Sequence, residues 1–278
     1  MNTAQMVKYA QMDLLIELDR ICQKFDIPYF LIGGTLIGAI RHDGFIPWDD
    51  DIDVGMLHED YERFFEACAR ELDPQYVLHD WNADPGSPHP YGKLKIRGTH
   101  YPEALSKNST MDDGIFIDVF PYDNAPDSIP LRRLQEAQIF LLRKLLLVRC
   151  GFELDGGSRI KKLIYGTLGI LSRLRSAESW KRSFKKVQHR YNTSPTQVSV
   201  NMCGAYRYDR ESKPRAMLEQ LTRHTFEGRM FCVPRDYDSF LRSCYGDYMQ
   251  LPPEDQRVGI HGVQSVDFGS YQIRFRGE

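Results

Sequence analysis

The first 130 residues show apolar patterns that predict both helices and strands. Apolar side chains recur at intervals of three and four residues over 7–25 and again over 59–71, which predicts two amphipathic helices. The apolar run over 29–32 predicts a short buried strand, and the polar–apolar alternation over 51–56 predicts a strand with one polar face. Further strands are predicted over 76–79, 91–97 and 114–120. These elements predict an α+β fold with a mixed sheet flanked by helices.

The sequence changes in character after residue 130. Three stretches within 131–190 combine helical periodicity with basic flanks, and they predict a helical insert. Strand-like residues return over 224–234, and a terminal helix is predicted over 236–251. We therefore divide the chain into a core at 1–130, a helical basic insert at 131–215, and a C-terminal segment at 216–278 that packs on the core.

Charge is distributed unevenly over these parts, although the whole chain carries a net charge of only −2. Residues 131–190 contain 15 Lys or Arg against 4 Asp or Glu, whereas the remainder contains 21 against 34. An acidic body with a basic insert favours an anionic partner at the insert.

The sequence also predicts a compartment. A spanning helix needs roughly 20 apolar residues, and no apolar run in this sequence is that long. The N-terminus lacks the basic stretch and apolar run of a secretion signal. The six cysteines form no C-x-x-C pair, which favours reduced thiols over a zinc site or a disulfide framework. We therefore expect a cytoplasmic protein.

Acidic residues are crowded between the predicted loop at 45–48 and the strand that follows. Asp49, Asp50, Asp51 and Asp53 lie within five positions. Asp51 and Asp53 are two apart, so on a strand their side chains leave the same face and suit Mg²⁺ or Mn²⁺. Asp49 and Asp50 are then left to a solvated loop.

A third acid stands apart from this cluster. Asp118 lies in the otherwise apolar stretch GIFIDVFP. A charge buried in such a strand is costly unless it is paired or binds a metal. We predict that Asp51, Asp53 and Asp118 are the catalytic and metal-binding residues.

Two other interpretations of the acidic cluster were considered. An EF-hand loop is excluded because Val54 stands where that loop requires glycine. The D-x-D motif of a sugar-nucleotide glycosyltransferase stays open, but it does not account for the glycine pair upstream.

The glycine pair supplies a complementary feature for phosphate. Gly33, Gly34 and Thr35 join the predicted strand at 29–32 to one or two helical turns, with Thr35 as the expected cap. Backbone N–H groups and the helix dipole at such a junction hold negative charge. Arg41 and His42 precede the acids in the expected loop, and we assign them to the donor phosphate as well.

Two lysines of YGKLKIR are the remaining phosphate-binding candidates. Lys93 and Lys95 alternate on one face of the predicted strand. They are either charge clamps for phosphate or the exposed charges of a solvated edge strand.

These motifs carry a family resemblance. The stretch GGTLIGAIRHDGFIPWDDDIDVGM resembles the signature of the LicD family, the phosphocholine transferase group that is similar to fukutin-related protein. YGKLKIR, GIFIDVFPYD and PRDYDSFLRSCYGDYMQLPPEDQR match in the same order, so the resemblance spans most of the chain. The middle, about 125–215, matches weakly.

The resemblance implies a nucleotidyltransferase-like catalytic core with metal bound by Asp51, Asp53 and Asp118. It implies Mg²⁺-dependent (or Mn²⁺-dependent) transfer of a phospho-alcohol, phosphocholine first, from CDP-choline or a related CDP-alcohol. The acceptor would be a hydroxyl of a cell-surface glycan or teichoic-acid precursor, and CMP would be released. We expect a lipid-linked acceptor, no nucleic-acid partner, and peripheral contact with the inner face of the membrane through 131–190.

Two alternatives stay open at this point. The same carboxylates would serve a nucleotidyltransferase that moves the NMP half of the donor. The second alternative is a non-catalytic protein that binds a nucleotide or a glycan. The intact set of three acids argues against this alternative.

Overall fold

The computed structural model describes residues 2–102, 110–152, 159–257, 259 and 265–271, with the backbone alone for 159–164. The last part of the predicted C-terminal segment, 272–278, lies outside the described residues. No helix among the described residues has both the length and the apolar character needed to cross a lipid bilayer.

A mixed sheet of seven strands forms the centre of the fold. Its main strand order is β1-β2-β5-β4-β3, in which β2 and β5 are parallel and the other neighbours are antiparallel. Two short strands extend the far end of β5. The strands are β1 (Phe30–Leu31), β2 (Asp53–Leu57), β3 (Tyr76–His79), β4 (Gly92–Ile96), β5 (Phe116–Ala125), β6 (Val198–Val200) and β7 (Ser212–Pro214).

Helices flank this sheet, so the predicted α+β fold is confirmed. The helices are α1 (Thr3–Phe25), α2 (Gly33–His42), α3 (His58–Glu71), α4 (Ile129–Arg149), α5 (Arg159–Arg173), α6 (Ala177–Gln188), α7 (Tyr208–Glu211), α8 (Arg215–Glu219) and α9 (Tyr237–Tyr245). Short 3-10 turns cover His189–Tyr191 and Glu254–Gln256. The predicted boundaries at 130 and 215 stay a prediction.

The first helix shows how sequence sets a local boundary. Asn2 accepts a hydrogen bond from the Gln5 N–H, and the Gln5 side chain accepts one from the Asn2 N–H, which forms a capping box. Leu14, Leu15 and Leu18 of the same helix are fully buried, so its apolar stripe faces the core.

The predicted strand over 224–234 is instead a hairpin. Its strands are β8 (Leu221–Phe226) and β9 (Arg229–Pro234), and they pair in antiparallel register. Glu227 and Gly228 both have positive φ, 49° and 71°, which suits the tight turn between right-twisted strands. The Glu227 carboxylate accepts the Phe45 N–H at 3.0 Å, so the hairpin fixes the loop that follows α2.

The two faces of β5 serve different purposes, and every residue of this strand is buried. Alternation puts Ile117 and Val119 on one face of the strand and Asp118, Phe120 and Tyr122 on the other. The second of these faces opens into the largest described cavity.

Candidate active site

A cavity of about 800 Å³ lies against the sheet where α2, β2 and β5 meet. Its wall includes most of the predicted site residues: Gly33, Gly34, Arg41, Asp51, Asp53 and Asp118. Side chains from the C-terminal half of the chain close the opposite wall, among them Tyr206, Tyr245 and Tyr248.

Two acids from neighbouring strands meet at this cavity. Asp53 and Asp118 are partners in the parallel register of β2 and β5. The Asp118 N–H donates to the Ile52 carbonyl at 2.9 Å, which fixes that register beside the acids. Partnered residues on adjacent strands lie about 5 Å apart and point to the same face, so the two carboxylates share one wall.

Asp51 reaches the cavity in a different way from the one predicted. The strand begins at Asp53, so Asp51 belongs to the loop that leads into the strand. The chain turns just before this point, where the Asp49 N–H donates to the Ile46 carbonyl at 3.0 Å. Asp51 still lines the cavity because the loop curls over the N-terminus of α2.

Asp49 is a site residue that the sequence analysis left to solvent. It lines the cavity, and one carboxylate oxygen each from Asp49, Asp50 and Asp51 lies within 4.8 Å of the others. Burial first, and then the neighbouring charges of Asp51 and Asp50, raise the pKa of Asp49 to about 7. The acids are therefore held together at an electrostatic cost that a divalent cation would relieve.

The glycine pair makes room for these carboxylates. Gly33 has a φ of 60°, and a Cβ at this position would stand 2.5 Å from Asp53 Oδ2. A Cβ at Gly34 would collide with the Asp49 carboxylate. Both acids thus lie directly at the N-terminus of α2, where the helix dipole favours negative charge. The predicted binding of donor phosphate by these glycines stays a prediction.

Thr35 is buried and holds the acidic strand in place. Helix α2 begins at Gly33 after Ile32, and no side chain caps it, so the predicted capping role of Thr35 is wrong. Its hydroxyl accepts the Asp53 N–H at 2.9 Å instead. Thr35 therefore sets the position at which β2 starts.

Arg41 and His42 end α2 and have different surroundings. Arg41 lines the cavity and donates through Nη1 to the carbonyls of Tyr248 and Gln250. Burial lowers the pKa of the Arg41 guanidinium. His42 is outside the cavity wall and accepts a hydrogen bond from Arg41 Nε at 3.4 Å. Burial and the charge of Arg41 lower the pKa of His42, which favours its neutral form.

The lysines of β4 are buried, so the solvated edge strand is excluded. β4 lies between β3 and β5. Lys93 Nζ is 2.9 Å from Asp118 Oδ1 and 3.3 Å from the centre of the Phe116 ring. Lys95 lies away from the cavity wall, where Nζ donates to the Asp112 carbonyl at 2.6 Å and is 3.6 Å from Asp84. Burial lowers the pKa of Lys95.

The cavity wall also contains charged residues from the region of weak family resemblance. Arg143 of α4 donates to the Gly204 carbonyl, and Glu211 of α7 accepts the Tyr206 N–H at 3.1 Å. Burial raises the pKa of Glu211. Arg143 could have been singled out from the sequence, because a charged residue that interrupts the apolar run over 139–148 is unusual.

Oxygen donors dominate the acidic wall, which suits a hard cation such as Mg²⁺. Asp51, Asp53 and Asp118 all line this wall, whereas the three carboxylates with oxygens within 4.8 Å of one another are those of Asp49, Asp50 and Asp51; binding of the ion by Asp51, Asp53 and Asp118 stays a prediction. The close approach of three carboxylate oxygens from Asp49, Asp50 and Asp51 beside these acids fits a divalent metal, which would offset their repulsion.

Part of the chain that contains the acidic wall matches a known protein family. Residues 26–129 match the family model described as "LicD/FKTN/FKRP, nucleotidyltransferase domain". The matched range contains the glycine pair and the acids Asp51, Asp53 and Asp118.

Curated relatives extend this match. The chain is 29% identical over 267 residues to the lipopolysaccharide cholinephosphotransferase LicD of Haemophilus influenzae, with 90% of this chain and 92% of the relative covered. A stretch of 34 residues is 53% identical to the human ribitol 5-phosphate transferase FKRP, which covers 12% of this chain and 7% of that protein. An uncharacterized protein of Rickettsia prowazekii is 32% identical over 85 residues, 24% of this chain and 32% of the relative.

Proposed function

We propose that this chain, whose residues 26–129 match the nucleotidyltransferase domain of the LicD family model, transfers phosphocholine from CDP-choline to a hydroxyl of a glycan. The relatives from Haemophilus influenzae and human are a cholinephosphotransferase and a ribitol 5-phosphate transferase, which supports the transfer of a phospho-alcohol. The observation that carries the proposal is the placement of Asp53 beside Asp118 on one cavity wall, against the glycine pair.

The residues of the acidic wall have distinct roles in this proposal. Asp51 and Asp53 would hold Mg²⁺, or Mn²⁺, at the cavity that receives the donor. The bound ion supplies charge neutralisation on the phosphate oxygens. Gly33 and Gly34 offer backbone N–H groups at the N-terminus of α2, and Arg41 adds a cation at the other end of that helix.

Asp118 accepts the proton of the attacking hydroxyl. A bond forms between this hydroxyl oxygen and the phosphorus that carries choline, while the bond from that phosphorus to the bridging oxygen breaks. CMP leaves with the electron pair. Lys93 Nζ, 2.9 Å from Asp118 Oδ1, holds the carboxylate in position until the hydroxyl arrives. Transfer then depends on positioning and charge neutralisation.

Product analysis tests the proposal and separates the alternatives. The protein would be incubated with CDP-choline labelled in the choline, with lipid-linked glycan acceptors, and with Mg²⁺ or a chelator. We expect CMP and labelled glycan in the Mg²⁺ reaction alone. Parallel reactions with CDP-ribitol and CDP-glycerol identify the alcohol that is preferred. Release of pyrophosphate from a nucleoside triphosphate would identify a nucleotidyltransferase, and no turnover of any donor would identify a binding protein.

A second surface suits the lipid-linked acceptor that we propose. Phe140 of α4, Ile170 of α5 and the adjacent Leu174 expose 64%, 68% and 72% of their surface. Basic residues lie among them, for example Lys144, whose Nζ is 5.7 Å from the centre of the Phe140 ring. Exposed apolar side chains with nearby cations are typical of helices that lie in the interface of an anionic membrane. We propose that this surface, the α4–α5 surface, brings the protein to the cytoplasmic face of the membrane.

A further inference from the structure

A cluster of two histidines and one aspartate lies outside the candidate active site. His58 begins α3, Asp123 lies on β5, and His189 begins the 3-10 turn after α6. His58 Nδ1 is 3.0 Å from Asp123 Oδ1, and His189 Nε2 is 4.0 Å from the same oxygen. One ligand atom from each of the three residues lies within 4.8 Å of the other two.

The contact between His58 and Asp123 is close but poorly directed. The Nδ1 atom of His58 is buried, and at 3.0 Å from Asp123 Oδ1 it is within contact distance but outside the angles of a well-formed hydrogen bond. The rings of His58 and His189 stand edge to face with their centres 4.4 Å apart. Two imidazoles therefore converge on one carboxylate oxygen, and imidazole nitrogen and carboxylate oxygen are both ligands of Zn²⁺ in proteins.

Amide groups hold Asp123 in a fixed orientation. Asp123 has no exposed surface. Its Oδ2 accepts from Gln188 Nε2 at 2.7 Å, and its Oδ1 accepts from Asn192 Nδ2 at 2.7 Å. Carboxylates that ligate metals are commonly oriented by such hydrogen bonds from residues behind them.

A small cavity gives access to the cluster. Its volume is about 200 Å³, and His58 and His189 lie on its wall with Glu62 and Lys185. His58 and Glu62 are four residues apart on α3 and therefore share one face of the helix. Glu62 therefore lies on the same cavity wall as the two histidines, outside the group of three ligand atoms that lie within 4.8 Å of one another.

This cluster is separate from the acidic wall. Asp118 and Asp123 are five positions apart on β5, about 17 Å along an extended strand, and alternation points them to opposite faces. The donor sets also differ, because the acidic wall offers oxygen alone whereas this cluster offers two imidazole nitrogens. Mg²⁺ prefers oxygen ligands, and Zn²⁺ accepts nitrogen and oxygen together.

We propose that His58, Asp123 and His189 bind a Zn²⁺ ion that joins the end of α6 to the central sheet and to α3. The ion ties the basic helices, which carry the α4–α5 surface, to the strand that carries Asp118. The fourth ligand is Glu62 or a water in the small cavity. This inference does not depend on the reaction proposed above.

Zinc binding by the full-length protein tests the inference. The chelator-treated and desalted protein would be titrated with Zn²⁺ in excess Mg²⁺, and Co²⁺ would report the ligand geometry through its visible absorption bands. His58→Gln and His189→Gln each remove one imidazole. If one of these variants fails to fold, the other still tests the site. His100→Gln is the matched control, because His100 is exposed and paired with Asp113.

We expect the wild type and His100→Gln to bind one Zn²⁺ per chain, with a higher melting temperature in the presence of the ion. We expect His58→Gln and His189→Gln to bind Zn²⁺ at least tenfold more weakly, since even residues behind the ligands contribute about 10- to 100-fold to metal affinity. The inference is overturned if the wild type binds no Zn²⁺ in excess Mg²⁺. It is also overturned if folded His58→Gln and His189→Gln proteins retain wild-type affinity.

Discussion

Asp53 and Asp118 are direct partners in the parallel pairing of β2 and β5, although they stand 65 positions apart in the sequence. The pairing brings an acid from the crowded loop and strand at 49–53 next to an acid from an otherwise apolar strand. Both face the same cavity, and the glycine pair borders them.

Replacement of Asp53 should abolish transfer while the fold is retained. Asp53→Asn keeps the size of the side chain and the backbone hydrogen bond to Thr35 Oγ1. It removes a charge that we assign to the metal. Loss of one well-placed electrostatic contact typically costs about 100- to 1,000-fold in turnover. We expect a loss at least this large in CMP release, with an unchanged circular dichroism spectrum. Asp209→Asn, a change at an exposed acid outside the cavity wall, should retain full activity; near-normal turnover by Asp53→Asn would refute the assignment.

Asp51→Asn should make the metal-free protein more stable and the enzyme inactive. Asp51 is one of the two neighbouring charges that raise the pKa of Asp49. Without a cation, removal of Asp51 relieves like-charge repulsion at the N-terminus of α2. Thermal denaturation in a chelator at mildly alkaline pH should therefore show a higher melting temperature for Asp51→Asn than for the wild type. Added Mg²⁺ should raise the melting temperature of the wild type more than that of the variant. The same or a larger Mg²⁺ shift in the variant would mean that Asp51 is not a ligand.

Gly33→Ala should inactivate the protein because a Cβ at this position meets the Asp53 carboxylate. Gly228→Ala is the matched control for the backbone strain of alanine at positive φ. Gly33 and Gly228 have similar positive φ, 60° and 71°, so alanine at either position carries the left-handed penalty of roughly 1–2 kcal/mol. A Cβ at Gly33 also meets the Asp53 carboxylate, whereas a Cβ at Gly228 meets nothing within 4 Å. We expect both variants to lose some stability and Gly33→Ala alone to lose CMP release. Equal activity in the two variants would show that the close approach of Asp53 to the helix is not needed.

The Lys93–Asp118 pair should behave as a buried ion pair in a double-mutant cycle. Both side chains are about 5% exposed. Removal of one partner leaves an uncompensated buried charge, which costs roughly 3–5 kcal/mol. Urea denaturation in a chelator should show such a loss for Lys93→Met, and a smaller loss for Lys93→Met combined with Asp118→Asn. The exposed pair Arg242–Asp238 is the control, and Arg242→Met should leave the unfolding free energy nearly unchanged. Additive losses at Lys93 and Asp118 would contradict the coupling.

The sequence predicted the types of most core elements because apolar periodicity reports burial directly. It also singled out Asp118, since a lone acid in an apolar strand carries its own signal. It did not predict the partnership of Asp53 with Asp118, because strand register depends on long-range pairing. The polar–apolar alternation predicted that β2 begins at Asp51, whereas the strand begins at Asp53. The Asp53 N–H donates to the Thr35 hydroxyl, and a local sequence pattern contains no information about such a contact. Glu211 was missed, since its place in the cavity wall depends on a chain path that local patterns do not encode.

The α4–α5 surface should bind anionic membranes through both its apolar and its basic side chains. Phe140→Ser combined with Ile170→Ser removes two largely exposed apolar side chains. Insertion of one such side chain contributes about 1.5–3 kcal/mol, and 1.4 kcal/mol corresponds to a tenfold change in affinity. Flotation with vesicles that contain anionic lipid should therefore show at least tenfold weaker binding for the double variant. Met230→Ser, at a half-exposed residue of β9, should bind like the wild type. Added salt should weaken wild-type binding, because it screens the basic residues. Equal flotation of the wild type and the double variant would show that these helices cover the sheet without contacting lipid.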